Sequence, residues 1–428
     1  MSKPVIGFAG MTHLGINSAA ASLGRGFATV CFDTDQALVE RIRKGELPVV
    51  EPGLPELLQE HAALATYTAD IRDLSRCAVV YIATDVPTDD QGQSDLSDIR
   101  ALIDRVAAVL APDAVMVVLC QVPPGFTRGL AVPAERLIYQ VETLVFGRAV
   151  ERAMHPERFI IGCADPVRPL PAAYRMFLEA FACPLLPMRY ESAELAKIAI
   201  NCCLVASVTV ANTLAELSER INADWHEIAP ALKLDRRIGQ YSYLAPGLGL
   251  AGGNLERDLA TVLRLAGETG SEAGLIRSFV DNSRHRKDWV LRTLHREVFA
   301  RNPGAAITVL GLAYKENTHS TKNSPSLALI RHLGPWPLRV YDPVVAVQAA
   351  NHPRATGCAS ALDAAQGADV LVIMTPWSEF RGLSPAALAG AMKGRTVIDP
   401  YRVLDGGVWA AGGFDYLTLG TAPLKKVQ

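Results

Sequence analysis

The chain has 428 residues, half of them apolar and a fifth charged, which suits a soluble globular protein of two or three domains. Its formal net charge of −2, with basic residues spread along the chain, gives no electrostatic reason to expect nucleic acid or a membrane surface as partner. None of the eight cysteines forms a C-x-x-C pair, so we expect no zinc site or disulfide framework and a reducing, cytoplasmic compartment.

In chain order, "MSKP" runs into "VIGFAG" without an apolar leader, and "PVIGFAG" predicts a strand entering a turn. "LGINSAAASLGRG" predicts a helix rich in small residues, and "ATVCFDTD" a strand ending in acids. "CAVVYIATDVP" and "AVMVVLCQVPPG" follow as strands closed by proline. This alternation predicts a parallel doubly wound sheet over residues 1–190. Over 191–300 the pattern turns helical. Its most apolar stretch, "LAKIAINCCLVASVTVANTLAEL", contains Lys197, Asn201 and Asn212, which fits a buried helix better than a membrane span. "AAITVLGLAYK", "LRVYDP", "ADVLVIMTPW" and "RTVIDP" restart the alternation over 301–428. No fixed-period repeat is visible, and the two α/β parts read as alike in kind only.

"GMTHLG", Gly10 to Gly15, lies between a predicted strand and helix, and Asp33 ends the next strand 18 residues after Gly15. In a dinucleotide-binding unit the first glycine makes the tight turn, the last lets the helix pack closely, and the acid takes the ribose hydroxyls. An aspartate there favours NAD over NADP, because it repels a 2′-phosphate. Thr12 stands where a second glycine is usual, and its side chain either crowds the pyrophosphate or offers it a hydroxyl. A strand–turn–helix that binds nothing could carry the same glycines, but strand, helix and Asp33 together favour a dinucleotide site.

Further along, an ordered set of motifs resembles the UDP-glucose/GDP-mannose dehydrogenases, NAD-dependent nucleotide-sugar dehydrogenases. "KGELPVVEPGLPELL" resembles the family's stretch after the second strand, and "ATDVPTDDQGQSDLSDI" its GTPxxxxGxxDLS segment. "QVPPGFTR" is similar to STVPxGTT, and "ESAELAKIAINCCLVA" to the helix bearing a catalytic lysine and asparagine. "RRIGQYSYLAPGLGLAGGNLERDL" is similar to RIGxxxLxxGxGFGGSCFxKD with one extra residue, and "VLGLAYKENTHSTKNSPS" to LGLAFKxxTDDxRxSP. "VYDP", "TPWSEF" and "VIDPYRVLD" complete the series.

The resemblance implies two Rossmann-like doubly wound α/β domains joined by a central helical dimerisation region. The boundaries are an NAD domain over 1–190, helices over 191–300 and a nucleotide (UDP) domain over 301–428. It implies a homodimer and a nucleotide-sugar substrate. It places Gly10, Thr12, Gly15, Asp33, Thr84, Gln121 and Lys322 with NAD. Glu142, Leu144, Arg237, Gly249 and Lys315 go with the substrate, Arg237 as the arginine that reaches a neighbouring subunit's sugar site. Lys197 and Asn201, four apart and so on one helix face, would stabilise an oxyanion. Asp258 would help activate water. Each has a plainer alternative: a snorkelling lysine, a core amide, a first-turn helix aspartate.

The departures concentrate in the chemistry. The family oxidises a sugar C6 hydroxyl twice, capturing the aldehyde on a cysteine as a thiohemiacetal that becomes a thioester. Asn254 stands in that cysteine's place, and a carboxamide forms no thioester. Gly253 replaces the adjacent serine, Gln121 the threonine of STVP, and Lys322 the arginine of DDxRxSP. Val145 and Phe146 replace the Arg-Glu of PEFLREG, and Tyr401 the arginine of DGRN. Cys120 and Cys202 read as buried structural thiols. Asn254 could instead hold a sugar hydroxyl or an aldehyde hydrate. Three readings follow, in order. The first is an NAD-dependent oxidoreductase on a nucleotide sugar without the thioester step. The second is an epimerase or isomerase that borrows and returns a hydride. The third is a non-catalytic nucleotide-sugar-binding homologue.

Overall fold

The computed structural model describes residues 3–87, 89 and 94–426; within "ATDVPTDDQGQSDLSDI", Thr88 and residues 90–93 lie outside the described residues. The chain divides into two compact units, Met1–Ile200 and Asn201–Gln428, with the division inside a long helix, Tyr190–Ile221.

The first unit is built on eight strands: β1 (Ile6–Ala9), β2 (Thr29–Phe32), β3 (Ala65–Thr68), β4 (Val79–Ile82), β5 (Val115–Val118), β6 (Leu137–Gln140), β7 (Phe159–Cys163) and β8 (Leu185–Arg189). Their order is β3-β2-β1-β4-β5-β6-β7-β8, parallel except for the antiparallel β6–β7 pair. The strands "IGFA", "TVCF", "VVYI" and "VMVV" are buried at every position. Ile6 and Phe8 enter one core cluster and Ala9 another, so both faces are covered and the sequence reads as continuous apolar runs. The sheet runs outward from β1 in two directions, to β2 and to β4. That reversal is where an open α/β sheet leaves a crevice at its carboxyl ends.

The second unit holds the helices Trp225–Leu234, Asn254–Thr269, Gly274–Lys287 and Trp289–Leu294 and a parallel sheet. Its strands are β9 (Ile307–Leu310), β10 (Leu338–Tyr341), β11 (Ala355–Gly357), β12 (Val370–Ile373), β13 (Thr396–Ile398) and β14 (Asp415–Leu417), ordered β11-β10-β9-β12-β13-β14. This is the order of the first six strands of the other sheet, so the two α/β parts share more than kind. Gly10 (φ +103°) follows β1, and a Cβ there would lie 2.4 Å from Thr84 after β4. Gly311 (φ +95°) follows β9, and a Cβ there would lie 2.4 Å from Thr375 after β12. Asp33 follows β2 as Asp342 follows β10. The likeness rests on strand order and a few turn residues, too sparse to appear as a sequence repeat.

The two acids are used differently. Asp342 Oδ2 accepts from the N–H groups of Leu312 (2.6 Å) and Ala313 (3.1 Å) and the Trp377 indole (3.1 Å). Its Oδ1 accepts from Val344 (2.9 Å) and Val345 (2.8 Å). Five donors exhaust a carboxylate's usual acceptor sites. Asp33 accepts only from Met11 N (2.7 Å) and Asp35 N (2.9 Å) among the described residues, so it retains capacity for a ligand's hydroxyls.

The long helix is only partly covered within this chain. It is long and apolar enough to cross a membrane by length and composition, yet only 28% of its most apolar window is buried within this chain. Polar bonds occupy part of its circumference: Asn212 Oδ1 accepts from Gly247 N (2.8 Å), Glu216 from Arg286 Nη1 (3.1 Å), and Glu219 from Trp289 Nε1 (2.9 Å). Val210, Leu214, Leu217 and Ile221, at helical spacing, are 40–62% exposed.

Replacing Asp342 with alanine leaves several loop N–H groups unsatisfied. Asp342→Ala is expected to destabilise the second unit by roughly 3 kcal/mol. Thermal or denaturant unfolding would show this as a transition shifted well below the wild type; an unshifted transition would contradict the clamp.

Candidate active site

At the cofactor turn, Gly15 sits on the first turn of the helix His13–Gly24, where a Cβ would come within 1.7 Å of the Gly10 carbonyl oxygen. Only glycine permits that approach. The helix begins without a side-chain cap, so its first N–H groups and dipole are open to an anion such as a pyrophosphate. Thr12 Oγ donates to the Ala83 carbonyl at 3.4 Å, which directs its hydroxyl to the end of β4 rather than to a phosphate. These residues fit NAD: an uncapped helix start for the phosphates and Asp33 for a ribose.

Also in the first unit, the loop after β6 carries Glu142 and Leu144. Leu144 N donates to Glu142 Oε1, and Lys197 Nζ donates to the Glu142 carbonyl (2.9 Å) and to Oε2 (3.3 Å). Lys197 is therefore a held ammonium, not a snorkelling surface group: its side chain is 12% exposed. Glu194, one turn before it, is fully buried and accepts from Gly125 N (2.6 Å) and Thr127 N (2.9 Å). Burial raises the Glu194 pKa, opposed by those same bonds. The pair of bonds fixes the loop containing half-buried Gln121.

In the second unit, the glycine-rich loop Pro246 to Gly253 is pinned from two helices. Asn212 takes Gly247 N, and Ser283 Oγ accepts from Leu250 N at 2.8 Å. Gly249 has φ +78°, and a Cβ there would collide with Ser283 O at 2.4 Å. Gly252 N donates to Lys322 O (3.1 Å), and a Cβ on Gly253 would meet the Lys322 side chain at 3.4 Å. Lys315 Nζ lies 5.7 Å from the Tyr314 ring, which itself packs at Gly252. The structure thus brings Gly249, Lys322 and the neighbourhood of Lys315 to one loop cluster. Arg237 is not part of it: it is 89% exposed and bidentate on its own neighbour Asp235.

Asn254 opens the helix Asn254–Thr269 and is exposed; Asp258 lies one turn on and is 1% exposed. Asp258 Oδ2 accepts from Asn201 Nδ2 at 2.5 Å, and Arg257 Nε lies 3.6 Å from Oδ1. Asp258 is thus no solvent-facing dipole partner but a buried carboxylate that orients Asn201. Neither Cys120 nor Cys202 is held as a thiolate. Cys120 is fully buried, donates to the Ile82 carbonyl (3.2 Å), and burial pushes its pKa up to about 12. Burial, then the Asp258 charge, pushes Cys202 up to about 11. Both remain thiols at neutral pH, and the thiolate is the nucleophile.

Sequence reading missed Glu51, Ser283 and Glu256 as organisers. Glu256 accepts from Lys287 Nζ (2.7 Å) and from Asn323 Nδ2. The signal for Glu51 was its place in "VVEPGL", an acid amid apolar and turn residues; Ser283 and Glu256 left none, since polar residues on helices are ordinary.

Three family models match the chain in order: the NAD binding domain of the UDP-glucose/GDP-mannose dehydrogenase family over residues 5–177, its central domain over 191–284, and its UDP binding domain over 308–406. The chain is 30% identical to a UDP-glucose 6-dehydrogenase of Pseudomonas aeruginosa over 437 aligned positions, covering 96% of each. It is 29% identical to one from Rhizobium meliloti, covering 96% of this chain and 98% of that one. Among solved structures, a UDP-glucose dehydrogenase from Pyrobaculum islandicum superposes with a TM-score of 0.82 at 25% identity, covering 95% and 98% of the two chains. A UDP-D-ManNAc dehydrogenase from Pyrococcus horikoshii gives 0.82 at 22%, a likeness of fold, covering 97% and 99%. The ordered motifs, the two sheets and these matches agree: the chain belongs to the UDP-glucose/GDP-mannose dehydrogenase family.

Proposed function

We propose that this protein is an NAD-dependent dehydrogenase that oxidises a CH–OH group of a nucleotide sugar without a cysteine-bound intermediate. The observation that carries this is the pairing of an open dinucleotide turn with Asn254 at the nucleophile position while both candidate substitute thiols stay protonated. NAD supplies the hydride acceptor. In the proposed roles, the uncapped helix start holds its phosphates and Asp33 its ribose, with Thr84, Gln121 and Lys322 nearby in the family pattern. The domain over 301–428 takes the nucleotide, with Lys315 toward its phosphates and Arg237 serving a neighbouring subunit.

Lys197 supplies positive charge to the oxygen that becomes an alkoxide as the hydride leaves, and Asn201, oriented by Asp258, adds an amide donor. Loss of one hydride and one proton gives an aldehyde. Addition of water gives a hydrate, which can lose a second hydride, to a second molecule of NAD, and two protons to reach the carboxylate with no bond to the protein. Asn254 can accept from or donate to such a hydroxyl. UDP-glucose is the first substrate to test, and no observation favours an isomerase or a non-catalytic binder. The exposed stripe on the long helix pairs with a second copy, and the enzyme works in the cytoplasm as a homodimer.

Incubation with NAD and a panel of nucleotide sugars, with products identified by mass, tests the reading: NADH should accumulate with an aldehyde, its hydrate or an acid. Isomerised sugar without NADH, or binding without turnover, would refute it. Lys197→Ala should slow turnover by about a hundredfold or more, and intact-mass analysis during turnover should find no sugar adduct. An adduct mapped to Cys120 or Cys202 would mean the nucleophile has moved.

For the cofactor, calorimetry should show NADH binding that Asp33→Ala weakens about tenfold or more. Thr12→Gly should bind NADH more tightly, because it removes bulk and no phosphate donor. Weaker binding by that variant would show the hydroxyl swinging to the phosphate. A preference for NADP would overturn the role of Asp33.

Light scattering should give twice the 46.0 kDa chain mass. Val210→Glu combined with Leu217→Glu should give a folded monomer. A monomeric wild type would leave the apolar stripe unexplained and Arg237 without a neighbouring site.

A further inference from the structure

Glu51 is a fully enclosed carboxylate on which two separate segments of the first unit converge. Its Oε1 accepts from His13 Nε2 at 2.8 Å and from Gly147 N at 2.8 Å; its Oε2 accepts from Ala149 N at 3.2 Å. Because a carboxylate only accepts, His13 carries its proton on Nε2. His13 is the first residue of the helix that opens from the cofactor turn. Gly147 (φ +82°) and Ala149 end the loop that begins with Glu142. The His13 ring also stacks on Phe146, centroids 3.9 Å apart and planes 26° apart. Phe146 is 44% exposed even with that stack. At the far end of the same loop, Glu142 receives Lys197. An unbroken series of contacts therefore runs from the cofactor turn through Glu51 and the loop to the ammonium of Lys197.

We infer that Glu51 is a positioning residue that ties the cofactor turn to the Glu142–Ala149 loop, so that filling the turn orders the loop beside Lys197. The inference rests on the NAD-binding reading above. A carboxylate is needed because three N–H donors face its two oxygens, and a carboxamide of equal size would turn an NH₂ toward at least one of them. Histidine is suited to its position because it donates from one edge while its face packs on Phe146.

Hydrogen exchange with mass detection on the full chain, with and without NADH, tests this through peptides covering residues 10–16 and 142–149. In the wild type NADH should slow exchange in both. In Glu51→Gln the ligand-free loop should exchange about tenfold faster, and NADH should protect the turn but not the loop. The KM for the nucleotide sugar should rise more than kcat falls. His13→Phe keeps a ring on Phe146 and removes only the donor; it should deprotect the loop to a lesser degree, and it decides the matter if Glu51→Gln does not fold. Wild-type exchange in the loop of either variant, or NADH protection of the Glu51→Gln loop equal to the wild type, would overturn the inference. Protection of the turn alone in the wild type would also overturn it while leaving the cofactor reading intact. Protection of neither segment would instead count against NAD binding itself.

Discussion

A loop at the carboxyl end of a parallel strand leaves the sheet's hydrogen-bond ladder, and its N–H groups must find acceptors elsewhere or stay costly when buried. In this protein carboxylates repeatedly supply them. Asp33 takes the turn at Met11, Glu51 takes Gly147 and Ala149, and Glu194 takes Gly125 and Thr127. Asp342 takes both turns after β9 and β10, and Glu219 takes Gly420. Each joins segments distant in sequence with charge-assisted bonds, which are stronger and more directional than neutral ones. The positions of the candidate catalytic groups follow from these clamps: Lys197 is held by a loop that Glu51 holds, on a helix that Glu194 ties to the Gln121 loop.

The same economy bears on the proposed chemistry, in which Asn254 stands where the family resemblance expects a nucleophilic cysteine. The residues that position loops are not those that would form the covalent intermediate. Asn254 is exposed at a helix start, whereas Asn201 and Asp258 are buried and bonded to each other. Hydride transfer needs a positioned acceptor and charge near the developing alkoxide, not a thiolate. Phe146, where the resemblance expects a glutamate, makes the loop's hold on the turn partly apolar, through its stack on His13.

The fold was legible to different depths in its different parts. Strands β1, β2, β4, β5, β9, β10, β12 and β13 read directly: most are short apolar runs buried on both faces, and β10, "LRVY", alternates buried and half-buried positions. Strands β3 and β8 did not: "ATYT" and "LLPMR" are half-exposed edge segments whose pairing depends on a neighbour already in place. Strands β6 and β7 are interior and buried at every position, yet they too went unread, as did the short edge strands β11 and β14. The apolar composition of the long helix was plain, but whether that surface turns inward depends on what packs on it, and much of it is only half-buried in this chain.

By itself, the sequence determined the α/β class, the glycine turn with its acid, the family and the asparagine at position 254, because each is written in local residue identity and spacing. Only the tertiary structure decided which acid keeps free acceptor capacity, which thiols stay protonated, that Lys197 is held by Glu142, and that Arg237 lies on Asp235. Those properties depend on burial and on partners tens to hundreds of residues away, and local sequence carries no record of either. The same reason hid Glu51, whose three donors come from two segments that are brought together only when the chain folds.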